Sequence, residues 1–133
     1  MGPYDAVPVP AMGTAGALRF LWNRFPELHH LFTDPEKPDS ENFDIEPYFS
    51  YGQFAEEVLR RQDDRALLSS VYEFIDDLAF SGQSILQELF VIEVLERLAG
   101  DAEFASSLYP NIHREAQDAL RDVERQIYGR SRE

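Results

Sequence analysis

The feature that most constrains the fold is a pair of helix-like apolar repeats in the second half of the chain. Apolar residues recur at intervals of three and four over residues 67–79, and again over residues 85–98. This spacing is typical of α-helices, in which about 3.6 residues complete one turn. Only a short segment around Gly82 separates the two repeats, so the sequence predicts a tight helical hairpin.

Capping residues are expected at both ends of this hairpin turn. Asp63 or Asp64 precedes the first helix, where its carboxylate can accept a backbone N–H bond. Gly82 stands where many helices end in the left-handed conformation. Ser84 and Gln87 have the spacing of a capping box, which predicts the start of the second helix.

The second helix of the hairpin is apolar around most of its circumference, which is typical of a helix covered on several sides. We therefore expect it to be the central helix of the domain. Glu93 and Glu96 lie close to its apolar face, so they either border the core or meet a partner. We favour the first alternative, in which Arg97 or an arginine of the last helix, Arg114 or Arg121, pairs with them.

The rest of the chain also reads as helical. No segment alternates as a strand would, and no internal repeat is visible. The prediction is an all-α fold, either a single-domain bundle or stacked helical hairpins, of six to seven helices. The other predicted helices run from Thr14 as a cap to Phe25, from Pro26 over a short distance, from Ser50 as a cap to about Gln62, from Asp101 as a cap over a short distance, and from about Pro110 to Gly129.

Proline and charge set the predicted domain boundaries. Residues 1–13 are proline-rich and are expected to form a flexible N-terminus, residues 14–129 a single helical domain, and residues 130–133 a frayed tail. Within the domain, residues 34–46 combine prolines with acids, which predicts an exposed acidic loop.

The charge of the chain excludes several classes of function. Asp and Glu number 25 against 12 Lys and Arg, a net charge of −13. Residues 34–46 carry a net −5 and residues 63–103 a net −8, so the remainder is neutral. Such a chain repels phosphate backbones, so we expect no nucleic-acid binding and a cationic partner if there is one. The alternative is that the acids only keep the surface soluble.

Composition also bears on the cellular location. The chain has no cysteine, which excludes disulfides and thiolate chemistry. No uncharged apolar stretch reaches about eighteen residues, and the first residues contain no basic or apolar run, so we expect neither a membrane span nor a signal peptide. The predicted location is the cytoplasm.

Catalytic motifs are not recognised in the sequence. Ser84 lacks the second glycine and the strand of a nucleophile elbow, and the single Lys37 lies in no phosphate-binding loop. We interpret the three histidines as surface or core-edge residues. Asp76 and Asp77 are adjacent, so on a helix they point about 100° apart, which is poor geometry for a shared proton. We therefore predict no enzymatic activity, no metal and no cofactor.

Residues 47–54 place four aromatic side chains directly after the acidic loop. One helical turn cannot bury all of them. Tyrosine is enriched at interaction hot spots, and nearby acids would orient a cationic partner; with equal weight, the aromatics instead fix the long loop to the core. Acids and aromatics together give the predicted partner-binding residues, Glu36, Asp39, Glu41, Asp44, Glu46, Tyr48, Tyr51, Asp76 and Asp77.

Parts of the chain resemble a known group of proteins. The segments VYEFIDDL at residues 71–78 and QELFVIEVLERL at residues 87–98, with FPEL at residues 25–28, resemble an uncharacterised family of small all-helical bacterial proteins. Members are proposed, partly from gene neighbourhood, as immunity proteins of polymorphic toxin systems. The resemblance covers about half the chain and implies an all-α fold and a non-enzymatic role. It identifies no contact residue.

The functional prediction is an acidic protein-binding inhibitor, an immunity protein that neutralises a cognate basic toxin domain by occluding its active or substrate-binding surface. The alternative is a structural or adaptor helical module without a toxin. A third possibility is a carboxylate or metal-dependent enzyme, which the absence of motifs disfavours.

Overall fold

The computed structural model of the protein describes residues 11–37 and 45–131, and within these ranges the chain is all-α without a strand. The predicted fold class is confirmed. The described part contains seven α-helices: α1 Thr14–Arg24, α2 Glu46–Arg60, α3 Arg65–Phe80, α4 Ser84–Leu89, α5 Glu96–Ala99, α6 Ala102–Leu108 and α7 Arg114–Tyr128, with 3-10 turns at Pro26–Leu31 and Tyr109–Asn111.

A π-helical segment, Phe90–Leu95, joins α4 to α5, so residues 84–99 form one continuous rod, hereafter the central helix. Within it the Glu96 N–H donates to the Val91 carbonyl, five residues earlier. The central helix packs against α1, α2, α3 and α7. Because it is covered on several sides, its apolar circumference is largely buried, as its sequence predicts.

An aromatic cluster joins the first three helices. Phe25, Phe54 and Phe74 are fully buried. The ring centroid of Phe74 lies 5.2 Å from that of Phe25 and 5.3 Å from that of Phe54, both edge-on. Such edge-to-face pairs each contribute about 1 kcal/mol beyond the area they bury. The cluster therefore fixes α2 and α3 against the end of α1.

Two predicted N-caps are confirmed. The carboxylate of Asp64 accepts the Leu67 N–H at 3.0 Å, and that of Asp101 accepts the Phe104 N–H at 3.0 Å. Each bond satisfies a donor that the first helical turn leaves without a partner.

The predicted cap at Ser50 is wrong. Helix α2 begins at Glu46, with Pro47 in its first turn, and Ser50 lies inside it. The Ser50 side chain is buried and accepts the backbone N–H of Thr33 at 3.0 Å. The serine thus ties the preceding 3-10 turn to α2 rather than starting a helix.

The turn of the hairpin is present, but the capping predicted for Gly82, Ser84 and Gln87 is wrong. Gly82 does not adopt the left-handed conformation, and Ser84 caps nothing. The Gln87 side-chain amide instead donates to the carbonyls of Leu78 and Ser81, both at 2.7 Å. Gln87 therefore caps the end of α3 from the helix that follows, which satisfies carbonyls that α3 leaves free.

Hydrogen bonds link the described residues near the two chain ends to the rest of the molecule. Residues 1–10, 132 and 133 lie outside the described part. The Met12 N–H donates to the Gln83 side chain at 2.6 Å, and Gly13 rather than Thr14 occupies the cap position of α1. The flexibility predicted for residues 1–13 stays a prediction.

The fraying predicted for residues 130–133 likewise stays a prediction. Gly129 ends α7 with a positive φ of 62°, as predicted, and turns the chain back. The Arg130 guanidinium then donates to the Ala99 carbonyl at the end of the central helix. It also lies 3.6 Å from the buried Glu124 and 5.1 Å from the ring centroid of Tyr128.

Gly129 and Gly82 allow a matched test of the backbone conformations assigned to the ends of α7 and α3. Gly129→Ala is expected to lower the free energy of unfolding by about 1 kcal/mol, because a side chain disfavours the left-handed conformation. Gly82→Ala is expected to be neutral or stabilising by about 0.5 kcal/mol, since its φ is ordinary and no atom crowds the new methyl group. Urea denaturation of both variants measures the difference, and equal losses would contradict the assigned conformations.

Candidate functional site

A row of charged and polar side chains runs along the contact between α2 and the central helix. We call it the acidic seam and define it as Tyr48, Glu56, Glu88, Glu93 and Arg97. At one end the Tyr48 hydroxyl donates to Glu88. At the other end Arg97 donates to Glu93 at 3.1 Å and to Glu56 at 3.2 Å. These bonds cross between the two helices at both ends and hold the side chains in place.

Gly52 allows the two helices to approach closely at the middle of the seam. A Cβ atom at this position would lie 3.0 Å from the Glu93 carboxylate and 3.1 Å from the Arg97 side chain. A longer side chain here would therefore force the ion pair apart. The missing side chain lets the Glu93–Arg97 pair lie directly over the backbone of α2.

The seam perturbs the ionisation of two of its members. Desolvation alone would lower the pKa of Arg97, but the hydrogen bonds and negative charges of Glu93 and Glu56 outweigh it and raise that pKa above its usual value. The hydrogen bond to Glu88 raises the pKa of the Tyr48 phenol, and burial and the charges of Glu88 and Glu93 add to this. Both side chains therefore keep their protons at neutral pH.

Exposed apolar side chains flank the seam on both helices. On α2, Phe49 is 58% exposed, and Ile45, one turn earlier, is 61% exposed. On the central helix, Ile92 is 44% and Val91 37% exposed. Large apolar residues exposed close to one another are typical of interaction sites rather than of a solvated surface. Here they border an acidic row.

The charge of this face is strongly negative. Glu96 follows Ile92 on the central helix, about one turn later, and forms no ion pair within the described part of the chain. Together with the three glutamates of the seam it leaves four carboxylates against the single guanidinium of Arg97. The face can therefore hold apolar contacts and cationic groups side by side.

Two of the predicted partner-binding residues, Glu46 and Tyr48, lie in the first turn of α2. Tyr48 is a member of the seam. Glu46 is half-buried and accepts the Thr33 hydroxyl, so it also holds the preceding turn. Glu36 is exposed and pairs with Arg19 at 3.3 Å. Asp39, Glu41 and Asp44 lie outside the described residues.

Tyr51 is not a surface residue, and its predicted role in partner binding is wrong. The side chain is fully buried, and its hydroxyl donates to the Ala17 carbonyl at 2.7 Å. It lies two positions after the exposed Phe49, about 200° farther around α2, and so it faces the core next to Phe74. A binding protein cannot reach it without unfolding the helix.

Asp76 and Asp77 do not join the seam. Asp77 pairs with Arg24 at the end of α1. Asp76 accepts the backbone N–H of His113 at 2.7 Å, and the His113 ring lies 3.6 Å away. Both aspartates thus tie α3 to its neighbours, and no hydrogen bond or ion pair links them to α2 within the described ranges.

Several residues of the site were missed by sequence reasoning. Glu88 and the exposed Phe49 and Ile92 were not predicted as contacts, and for Glu93 a position at the core edge was favoured over contact with a partner. The expected pairing of Glu93 with Arg97 is confirmed. A signal for the contact between the two helices was present in the sequence. Tyr48, Gly52 and Glu56 are spaced by four residues and so share one helical face, and a glycine between larger residues on such a face indicates that another helix approaches closely.

The histidines do not form a metal centre in the part of the chain that the structure describes. His29 stacks on Trp22 with a centroid separation of 3.5 Å, and His30 is exposed. No group of three or more His, Asp or Glu residues within residues 11–37 and 45–131 is placed to hold a metal ion.

No protein-family model, no curated protein and no solved structure matches the chain. The resemblance to the helical immunity proteins therefore stays a prediction. Among the described helices, none combines the length and the apolar character that crossing a bilayer requires.

The burial of Tyr51 has a consequence at alkaline pH. Burial raises the pKa of its phenol, so the unfolded chain loses this proton first, near pH 10. The contribution of the protonated, buried phenol to the free energy of unfolding is therefore complete below that pH and declines as pH rises above it. We expect Tyr51→Phe to lower the free energy of unfolding by about 1 kcal/mol at neutral pH and to reduce the alkaline decline.

Chemical denaturation from about pH 7 to pH 11 measures both effects. Tyr72→Phe is the control for the neutral-pH cost, since the Tyr72 hydroxyl makes no hydrogen bond within the described residues. If Tyr51→Phe kept the full alkaline decline, the buried phenol would not be its source.

Proposed function

We propose that this protein is a non-enzymatic inhibitor that binds a basic protein, and that it acts as an immunity protein occluding the active or substrate-binding surface of a cognate bacterial toxin in the cytoplasm. The observation that supports this most is the acidic seam with exposed apolar side chains on both sides. The resemblance in the hairpin sequence supports the immunity role in particular.

The composition of the face favours a protein partner. Phe49 offers an apolar anchor, and the surrounding acids offer partners for arginine or lysine. Protein interfaces typically combine such central anchors with a charged rim. A nucleic acid would meet repulsion from the net charge of −13.

The face is also preorganised for binding. It lies on two helices that pack directly against each other, and the bonds of the seam already fix Tyr48 and Arg97. Little conformational freedom is therefore lost when a partner docks, and this favours affinity. Opposite charges on the partner would raise the association rate.

Some acids elsewhere on the described surface are paired with arginines. Asp77 pairs with Arg24, and on α7 Asp118 pairs with Arg121. The sequence adds Asp39, Glu41 and Asp44 immediately before α2, close in the chain to Ile45 and Phe49. Residues 34–46 carry a net charge of −5, and we propose that these three residues extend the binding face.

Phe49 is the strongest single test of the face. Phe49→Ala is expected to weaken binding of the proposed cognate basic toxin domain by about 30-fold, the loss typical of a hot-spot aromatic residue. Phe80→Ala is the matched control, because Phe80 is also 58% exposed but lies at the end of α3 beside His113. Calorimetric titration measures both. Equal effects of the two variants would place the interface elsewhere.

Charge reversal tests whether the acids of the face attract the proposed basic partner. The double variant Glu88→Lys, Glu96→Lys is expected to slow association about tenfold at low salt and to flatten the dependence of the rate on ionic strength. The control, Glu73→Lys with Glu115→Lys, changes the net charge equally on α3 and α7. Stopped-flow mixing gives the rates, and an equal slowing by both pairs would indicate a general field rather than a defined face.

The alternative, an adaptor module without a toxin, is supported by the same exposed apolar residues, since they also suit self-association. Light scattering on the purified protein separates the two. A stable homodimer that Phe49→Ala dissociates, without capture of the toxin domain, would favour the adaptor function.

A further inference from the structure

The structure contains a groove on a different part of the surface, between α3 and the region from α6 to the following 3-10 turn. Its volume is about 500 Å³. One wall consists of Arg65, Ser69 and Tyr72, with Leu68 beside them, and the opposite wall includes Ser107 and Asn111. The groove is open to solvent, because Arg65, Ser69, Ser107 and Asn111 are exposed. None of the seam residues lines it.

Arg65 is unusual among the arginines of this protein. Within residues 11–37 and 45–131, every arginine except Arg65 and Arg114 is paired with a carboxylate. In a chain with an excess of acids, an arginine without a carboxylate is available to an external anion. Asp64, its neighbour, is engaged in capping α3 through the Leu67 N–H.

Further unused donors lie beside this guanidinium. Arg65, Ser69 and Tyr72 are spaced by four and three residues, which places them on one face of α3. The hydroxyls of Ser69 and Tyr72 make no hydrogen bond within the described residues. Leu68 and the Tyr72 ring add apolar surface next to these donors.

We propose that this groove binds a small organic acid, with its carboxylate on the Arg65 guanidinium and its apolar body against Leu68 and Tyr72. The planar fork of arginine matches a carboxylate in two parallel hydrogen bonds, and the hydroxyl of Ser69, one turn along α3, is a further donor in the same groove. The carboxylate belongs either to a free small molecule or to the C-terminus of a polypeptide. The site is independent of the proposed inhibitor function.

Benzoate is a suitable probe, with benzamide as its neutral counterpart. In an NMR titration of the amide signals of α3, benzoate is expected to cause saturable shifts around Arg65, Ser69 and Tyr72, and benzamide is expected to cause none. Arg65→Gln should weaken benzoate binding at least about tenfold, since a charged hydrogen-bonded pair is lost. Arg114→Gln is the matched control and should leave binding unchanged, because Arg114 is also unpaired but does not line the groove.

A second arm separates the two sources of carboxylate. Tighter binding of N-acetylphenylalanine than of benzoate would support a polypeptide C-terminus, and the reverse order would support a free small acid. The proposal would be overturned by shifts that do not saturate, by equal binding of benzamide, or by equal losses in Arg65→Gln and Arg114→Gln. Circular dichroism of each variant confirms that the helices are intact.

Discussion

The packing of α2 against the central helix is the contact on which the rest of the molecule depends. On its inner side, α2 contributes Tyr51 and Phe54 to the aromatic cluster that joins the first three helices. On its outer side, the same approach brings Glu56 within reach of Arg97. Because Gly52 has no side chain, the two helices come close enough for the core residues to pack and for the surface ion pairs to form at the same distance between the helix axes. The acidic seam is therefore a consequence of how the core closes.

The fold was largely predictable because it follows from local periodicity. The hairpin, the central helix and the all-α class all rest on spacings of three and four that the structure reproduces. Local capping signals were less dependable. Asp64 caps as expected, whereas Ser50 and Gln87 form bonds with other elements, and those bonds depend on tertiary positions that no local pattern encodes.

The candidate site was predictable only in part for the same reason. Tyr48 and Tyr51 are three residues apart, yet one contacts Glu88 at the surface and the other reaches the Ala17 carbonyl in the core. The direction of each side chain depends on which face of α2 meets the central helix. Composition indicated that acids and aromatics are concentrated near residue 48. It did not indicate that Glu88, forty residues later, completes the row.

The π-helical segment gives the length of the central helix a particular importance. The i→i+5 bonding takes up one residue more than an α-helical turn, so removing one residue between positions 90 and 95 would restore ordinary α-helical bonding and leave the following residues close to their present direction. Arg97 would still face Glu56, and the Glu96 carbonyl would still accept the Tyr128 hydroxyl. The same deletion in the α-helical turns of α4 would rotate the following residues by about 100° and separate the central helix from both α2 and α7.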